Sequence, residues 1–525
     1  MKDKASRIDF VLKKIEVFES EGFRCIGRDD LEPYKIETPF NWSLDPFVDN
    51  NWKFQLHTLR YLMIYLDAFL LTEERGYADK LLDYLEDWYS CSENNGNDFA
   101  WHDMATGIRA EKIYLIFTKL RPYKIHRPEK LKKIIKAHVE RMMSEGYVNL
   151  RHNHGLYVIH GLRCLAEVVG PKKKLQIKSF CGDKFACLIK DQFDENFVHK
   201  EHSPHYHHLV LDTLKRYEKT GLYSDYEFLS ATIKEAEANS SFLYLPDGRE
   251  LPFGDTDFKE CKGISSLSSL ESSPCYSDIF LKSGYFVCRE EGEGGSYLSV
   301  INNFNSNIHK HADNLSFVWG ECGQDIVVDP GKYKYCNDDI RKYVTTSMAH
   351  NVVNFKDFQW GVSNLEKPVG KIHYRFFDEE TIEADSEVAI KLNGSVYIFQ
   401  RTFFYRQKAF LVVVDRILNS GDETYIARFN LDKSAELIKN KDGVIKLEFN
   451  GVRVSFQAKT LSHNLDFEDL SSNSLELLPV SYAYGEFDRT LSITSEFKNN
   501  IISFFQIGCS ESAVDFVQEN KHKIF

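Results

Sequence analysis

The feature that most constrains this chain is a change of hydrophobic period part-way along it. In WKFQLHTLRYLMIYLDAFLL (52–71), Trp52, Leu56, Leu59, Leu62, Met63, Leu66 and Leu70 recur at three- and four-residue steps, the spacing of one helix face. YADKLLDYLEDWY, TGIRAEKIYLIFTKL, PEKLKKIIKAHVERMM, HGLYVIHGLRCLAEVV and HLVLDTLKRYEKTG extend that pattern towards residue 260. From about 280 the apolar segments shorten and alternate, as in SYLSVINNF, LSFVWGE, SVYIFQRTFFYR, AFLVVVDRI and VIKLEFNGVRVSFQAK, with Gly, Asn and Asp between them. Helices first and strands second exclude a βαβ fold. The expected architecture is α+β and multidomain: an N-terminal helical (α/α) toroid over 1–260, a Ser-rich linker over 261–282 and a C-terminal antiparallel β-sandwich over 283–525. No fixed-period repeat marks a standard solenoid family.

Charge and cysteine usage narrow the function classes. A formal net charge of -12 argues against nucleic-acid binding, which needs a broad basic surface, and leaves room for a local basic cleft that takes an acidic ligand. Aromatic residues make up 14% of the chain, which suits flat walls against sugar rings and suits a β-core equally. Eleven scattered cysteines without a C-x-x-C motif read as reduced thiols. The start MKDKASRIDFVLKKIEVF has no apolar export signal, so a cytoplasmic location is expected. The longest apolar run, YLMIYLDAFLL (61–71), contains Asp67 and is too short to span a bilayer.

Four stretches concentrate groups that transfer protons or bind metals. In HKHADN, His309 and His311 at i and i+2 would share one face of a strand. His311 with Asp329 of VVDPG and His350 of SMAHNVV would make a two-histidine, one-carboxylate metal set; hydrogen-bonded histidines at a sheet edge are the other reading. In RHNHGLY, Asn153 and His154 either open a helix, with Asn as its cap, or hydrogen-bond a substrate carboxylate. In EHSPHYHHLVLDTL, Ser203 and Pro204 are a good helix start, and Tyr206 sits among four histidines, some of which are polar first-turn residues on the plainer reading.

In their order these motifs resemble the heparinase II/III-like polysaccharide lyases, bacterial enzymes with an α/α toroid followed by a β-sandwich. NWSLDPFVDNNWKFQLHTLRYL, WHDMATGIRAEKIY, RHNHGLY, EHSPHYHHLVLDTL, LPDGRELPFGDTD, HKHADNLSFVWGECGQDIVVDPGKY and RKYVTTSMAHNVV carry the likeness, which covers most of the chain. The resemblance implies β-elimination at a uronic acid: the C5 proton is removed, charge builds on the C6 carboxylate, and the C4 oxygen leaves. It implies proton transfer by Tyr206 and His309, neutralisation of the carboxylate by Asn153 and His154, and substrate contacts from Arg109 and Glu201. It also implies a divalent metal, zinc by its ligands, held by His311, Asp329 and His350 in a structural or electrostatic role. A free phenol has a pKa of about 10, so Tyr206 is a poor base unless cationic neighbours, with nearby imidazoles and Arg109 the candidates, favour the phenolate; it acts as the base or as the acid that protonates the leaving oxygen. The implied partner is an acidic polysaccharide, heparan or heparosan in type. Two rivals stay open. One is a toroid-fold glycoside hydrolase drawing on Asp103, Glu201 and Asp255; the other is a non-catalytic glycan-binding protein associated with capsule or exopolysaccharide production.

Overall fold

The computed structural model describes residues 4–28, 30–94, 98–257, 278–290, 292, 294–335, 337–365, 372–419, 421–462, 466–470, 473–510 and 512–525. The described chain divides into two compact units, Met1–Gln192 with Lys215–Leu229, and Phe193–Leu214 with Ser230–Phe525. The helical-to-strand change falls where the periodicity places it, but the compact units do not part at residue 260. Val198, Leu243, Leu245, Leu251 and Phe253 share an apolar cluster with Tyr285, Val287, Tyr297, Ile301 and Val318, so burial of their side chains ties these segments to the sheet-bearing unit. Most of the expected linker, 261–277, lies outside the described residues, and Asp278–Ser283 is a short helix.

The helical unit contains α1 (Lys4–Glu21), α2 (Asn50–Thr58), α3 (Met63–Thr72), α4 (Arg75–Asn94), α5 (Asp103–Leu120), α6 (Pro128–Met142), α7 (His154–Ala166) and α8 (Pro171–Gln192). The apolar pattern over 52–71 reads as one helix, yet the chain breaks it. Asp49 caps α2 by accepting from Trp52 N, and Leu59 closes it in a left-handed conformation at φ 53°. Neighbouring helices pair, α3 with α4, α5 with α6 and α7 with α8, and α5 lies along α7. Glycines permit that last approach: a Cβ on Gly107 would overlap the Tyr157 carbonyl, and one on Gly161 would meet Gly107 O at 2.6 Å. The two helices therefore start side by side, with Asp103 and His154 at their first turns.

The second unit carries α9 (Pro204–Glu218), whose last turn belongs to the helical unit, α10 (Glu227–Ser240) and the sheets. β1 (Tyr285–Arg289), β2 (Tyr297–Ile301), β3 (Ser316–Glu321) and β4 (Gln324–Val327) form a four-stranded antiparallel sheet in sequence order. After β5 (Val353–Phe355) come β6 (Ile372–Phe376), β7 (Thr381–Leu392), β8 (Ser395–Arg406), β9 (Phe410–Ile417) and β10 (Tyr425–Asn430). They are followed by β11 (Ala435–Lys441), β12 (Val444–Phe449), β13 (Val452–Leu461), β14 (Phe467–Asp469), β15 (Asn473–Ala483), β16 (Glu486–Phe497) and β17 (Asn500–Ile507). The largest sheet runs β11-β12-β13-β17-β9-β8-β7-β6 with β14 on β13, and the third runs β15-β16-β10-β5. One core, including Trp319, Phe403, Phe429 and Phe505, joins all three sheets, as the apolar alternation requires. No described helix is long and apolar enough to cross a membrane.

Candidate active site

Three segments of the second unit converge. Ser203 starts α9 and donates its hydroxyl to the Asp255 carbonyl at 3.1 Å, which ties the helix start to the turn FGDTD. In that turn Gly254 has φ 57°, and a Cβ would lie 2.7 Å from both the His202 and His309 carbonyls, so only glycine fits. Asp255 N then donates to His309 O at 3.2 Å, which brings the HKHADN loop to the same place. His202 and His309 themselves hold positive φ, 61° and 54°, a conformation that costs a non-glycine residue and recurs at functional sites.

Asp255 is the centre of the arrangement. It is buried, and its carboxylate accepts from His309 Nδ1 at 2.9 Å, His311 Nε2 at 2.9 Å, and Arg341 through Nη1 at 2.6 Å and Nη2 at 3.1 Å. Those bonds set both imidazole tautomers. His309 carries its proton on Nδ1, which also lies 3.2 Å from the Tyr335 hydroxyl, and its Nε2 lies 3.5 Å from Glu201 Oε2. The His309 ring stacks on Tyr206, centroids 3.5 Å apart and planes 16° from parallel. Tyr206 and Tyr335 share a hydrogen bond of 2.8 Å between their hydroxyls. The structure thus brings together Tyr206, His309 and Glu201, and adds Asp255, Tyr335 and Arg341.

The electrostatics run against a stabilised phenolate and leave the acid role of Tyr206 as the one they favour. Burial pushes the Tyr206 phenol above its ordinary value; the Tyr335 hydrogen bond opposes this, and Asp255, Glu201 and Asp257 add to it. The neutral phenol is therefore the favoured form of Tyr206. Burial lowers His309, against the pull of Asp255, so its neutral form with an accepting Nε2 is favoured. The four histidines around Tyr206 in sequence do other work. His202 Nδ1 donates to Ile308 O at 3.2 Å and its Nε2 accepts from Asn305 N at 2.6 Å, clamping the loop that bears His309. His207 accepts from His199 N and donates to Ala236 O. His205 and His208 donate from Nδ1 to the buried Glu250 at 3.0 and 2.8 Å. The imidazole against Tyr206 comes from another segment altogether.

His311, Asp329 and His350 are all buried in one cluster with Lys310 and Asp313. His350 Nδ1 donates to Asp329 Oδ2 at 2.9 Å, and the two imidazole centroids are 5.3 Å apart. His311 Nδ1 and His350 Nε2 are buried without a hydrogen-bond partner, and the partners of their other nitrogens leave each of them a lone pair. Two unspent imidazole lone pairs beside carboxylates fit a divalent cation of zinc type. Asp329 and His350 are within bonding distance of each other, but the three expected residues do not gather one donor atom each within 4.8 Å.

In the helical unit, Asn153 is buried at the start of α7 in helical conformation, and its side chain makes no capping hydrogen bond. His154 donates from Nδ1 to Asp103 Oδ1 at 2.9 Å. Arg109 departs from its expected role. It is fully buried, donates to His138 Nε2, to the carbonyls of His57 and Ala100 and to Thr106, and lies 3.9 Å from the Trp88 ring centroid. Its donors hold the helical core together and are not offered to a ligand.

Residues 15–256 match the family model described as "Heparinase II/III N-terminus", and 276–499 match "Heparinase II/III-like, C-terminal". No curated protein matches the chain. Among solved structures it is similar to one titled heparinase III, at 15% identity and TM-score 0.73, over 97% of this chain and 86% of that one. A heparan sulfate lyase from Pedobacter heparinus is similar at 15% identity and TM-score 0.67, over 97% and 85%. A heparinase III gene product with methylated lysines gives 16% and 0.70, over 98% and 85%.

Proposed function

Because this chain belongs to the heparinase II/III-like family, we propose that it is a polysaccharide lyase that cleaves uronic-acid-containing chains of heparan or heparosan type by β-elimination. The observation that carries the reading is the stacked pair Tyr206–His309, with Asp255 fixing the imidazole tautomer. Elimination needs a base for the C5 proton and an acid for the C4 oxygen. His309 Nε2 supplies the lone pair and the neutral Tyr206 hydroxyl supplies the proton, relayed to or from Tyr335 at 2.8 Å. Glu201, 3.5 Å from His309 Nε2, contacts the substrate, and Asn153 and His154 hydrogen-bond the C6 carboxylate as charge builds on it. His311 and His350, oriented by Asp255 and Asp329, would hold a divalent cation that supplies fixed positive charge behind the site. The catalytic steps rest on the chain's own side chains.

A hydrolase reading is less well supported. Asp255 is spent on two imidazoles and a guanidinium, and Asp103 on His154, so neither is poised as a general acid or nucleophile. Mass analysis of products from heparosan and heparan sulfate separates the two chemistries. Elimination yields fragments whose masses sum to that of the substrate; fragments heavier by one water per cleavage would overturn the proposal.

A further inference from the structure

A second cluster, confined to the helical unit, is independent of Tyr206 and His309. Asp103 opens α5 and His154 opens α7, and the glycine-mediated contact of those helices sets their first turns side by side. Asp103 Oδ1 lies 2.9 Å from His154 Nδ1 and 3.4 Å from His102 Nδ1, and the three donor atoms all lie within 4.8 Å of one another. Among the described residues this is the one set of three or more such groups that gathers so closely.

An aspartate at a helix start bonded to one histidine is ordinary. The third member is not. His102 occupies the position before α5, yet its side chain makes no capping hydrogen bond, and its Nδ1 is buried without a hydrogen-bond partner. A buried imidazole nitrogen that makes no hydrogen bond, turned to the same carboxylate oxygen as a second imidazole, is costly as it stands. It is accounted for when a cation takes the place of the missing donor.

We infer that His102, Asp103 and His154 form a divalent transition-metal site of zinc type, separate from the His311–His350 cluster. A tetrahedral zinc with bonds of about 2.0–2.1 Å places its ligand atoms about 3.3–3.4 Å apart. The His102–Asp103 separation of 3.4 Å already matches that edge, and the His154–Asp103 separation of 2.9 Å needs only a slight opening once the His154 proton has passed from Nδ1 to Nε2. Three protein ligands leave the fourth position to a solvent oxygen. Bound at Nδ1, the cation polarises the His154 ring and makes its Nε2–H a stronger donor.

The test is a cobalt(II) titration of the full-length protein, followed by visible absorbance, with zinc chloride as competitor. The wild type is compared with the His102→Gln/Asp103→Asn double variant, and far-ultraviolet circular dichroism is used to verify that both are folded. The wild type is expected to bind one more equivalent than the variant, or to bind that equivalent more than about 100-fold more tightly. Equal stoichiometry and affinity in the two proteins would overturn the inference. Should the double variant not fold, the single His102→Gln variant is titrated against the same two criteria.

Discussion

The imidazole of His309 lies flat against the phenol of Tyr206, with ring centroids 3.5 Å apart. Asp255 holds that imidazole from its far edge. The two rings are thus stacked rather than hydrogen-bonded to each other, so the acid and base proposed here can each serve a different atom of one ligand.

Tyr206→Phe removes a single oxygen from a half-buried ring and leaves the stack in place. Turnover is expected to fall about 10²–10⁴-fold with the fold unchanged. Initial rates measured beside circular dichroism check this.

Asp255→Asn removes the charge that pairs with Arg341 and the acceptor that sets both His309 and His311. Breaking a buried charge pair from one side typically costs about 3–5 kcal/mol. Activity and denaturant midpoint are both expected to fall. A variant that lost activity at full stability would show that the buried network is not the scaffold described here.

Arg109→Lys tests the corrected role of that residue. A lysine cannot reach the His57 and Ala100 carbonyls and His138 together, so several buried acceptors lose their donor. Unfolding free energy is expected to drop by about 2–4 kcal/mol. Substrate KM, measured below the lowered melting temperature, is expected to stay near the wild-type value.

Glu250 predicts an acid limb of stability. Burial alone would raise its carboxyl, but hydrogen bonds from His205 and His208 hold it at about 2, below the ordinary 4.5. A folded-state pKa below the unfolded one gives stability that is complete above about pH 4.5 and is lost as pH falls towards 2. Glu250→Gln should flatten that part of the stability profile, as read from urea midpoints across the range.

The fold was largely legible because period switching survives in short segments: every strand-like run quoted from the C-terminal half contains a strand, and VIKLEFNGVRVSFQAK contains two. Leu59 was not legible, because its left-handed turn interrupts an apolar spacing that continues across it. At the site, Tyr206 and His309 stood out through their motifs. Asp255 stands out in the sequence only as a carboxylate for a rival hydrolase, and Arg341 only as the first residue of RKYVTTSMAHNVV. Their roles depend on contacts 54 and 86 residues apart in the chain, which local spacing does not encode. Tyr335 was missed for the same reason. The histidine-rich stretch misled in the opposite direction: four imidazoles adjacent to Tyr206 in sequence point into loops and onto Glu250, and the one that meets it is His309.

The central claim is tested most directly by ultraviolet absorbance during incubation of the wild-type protein with heparosan and with heparan sulfate. The account predicts a rising absorbance from the 4,5-unsaturated uronate end, abolished in Tyr206→Phe. A flat trace accompanied by new reducing ends would contradict it.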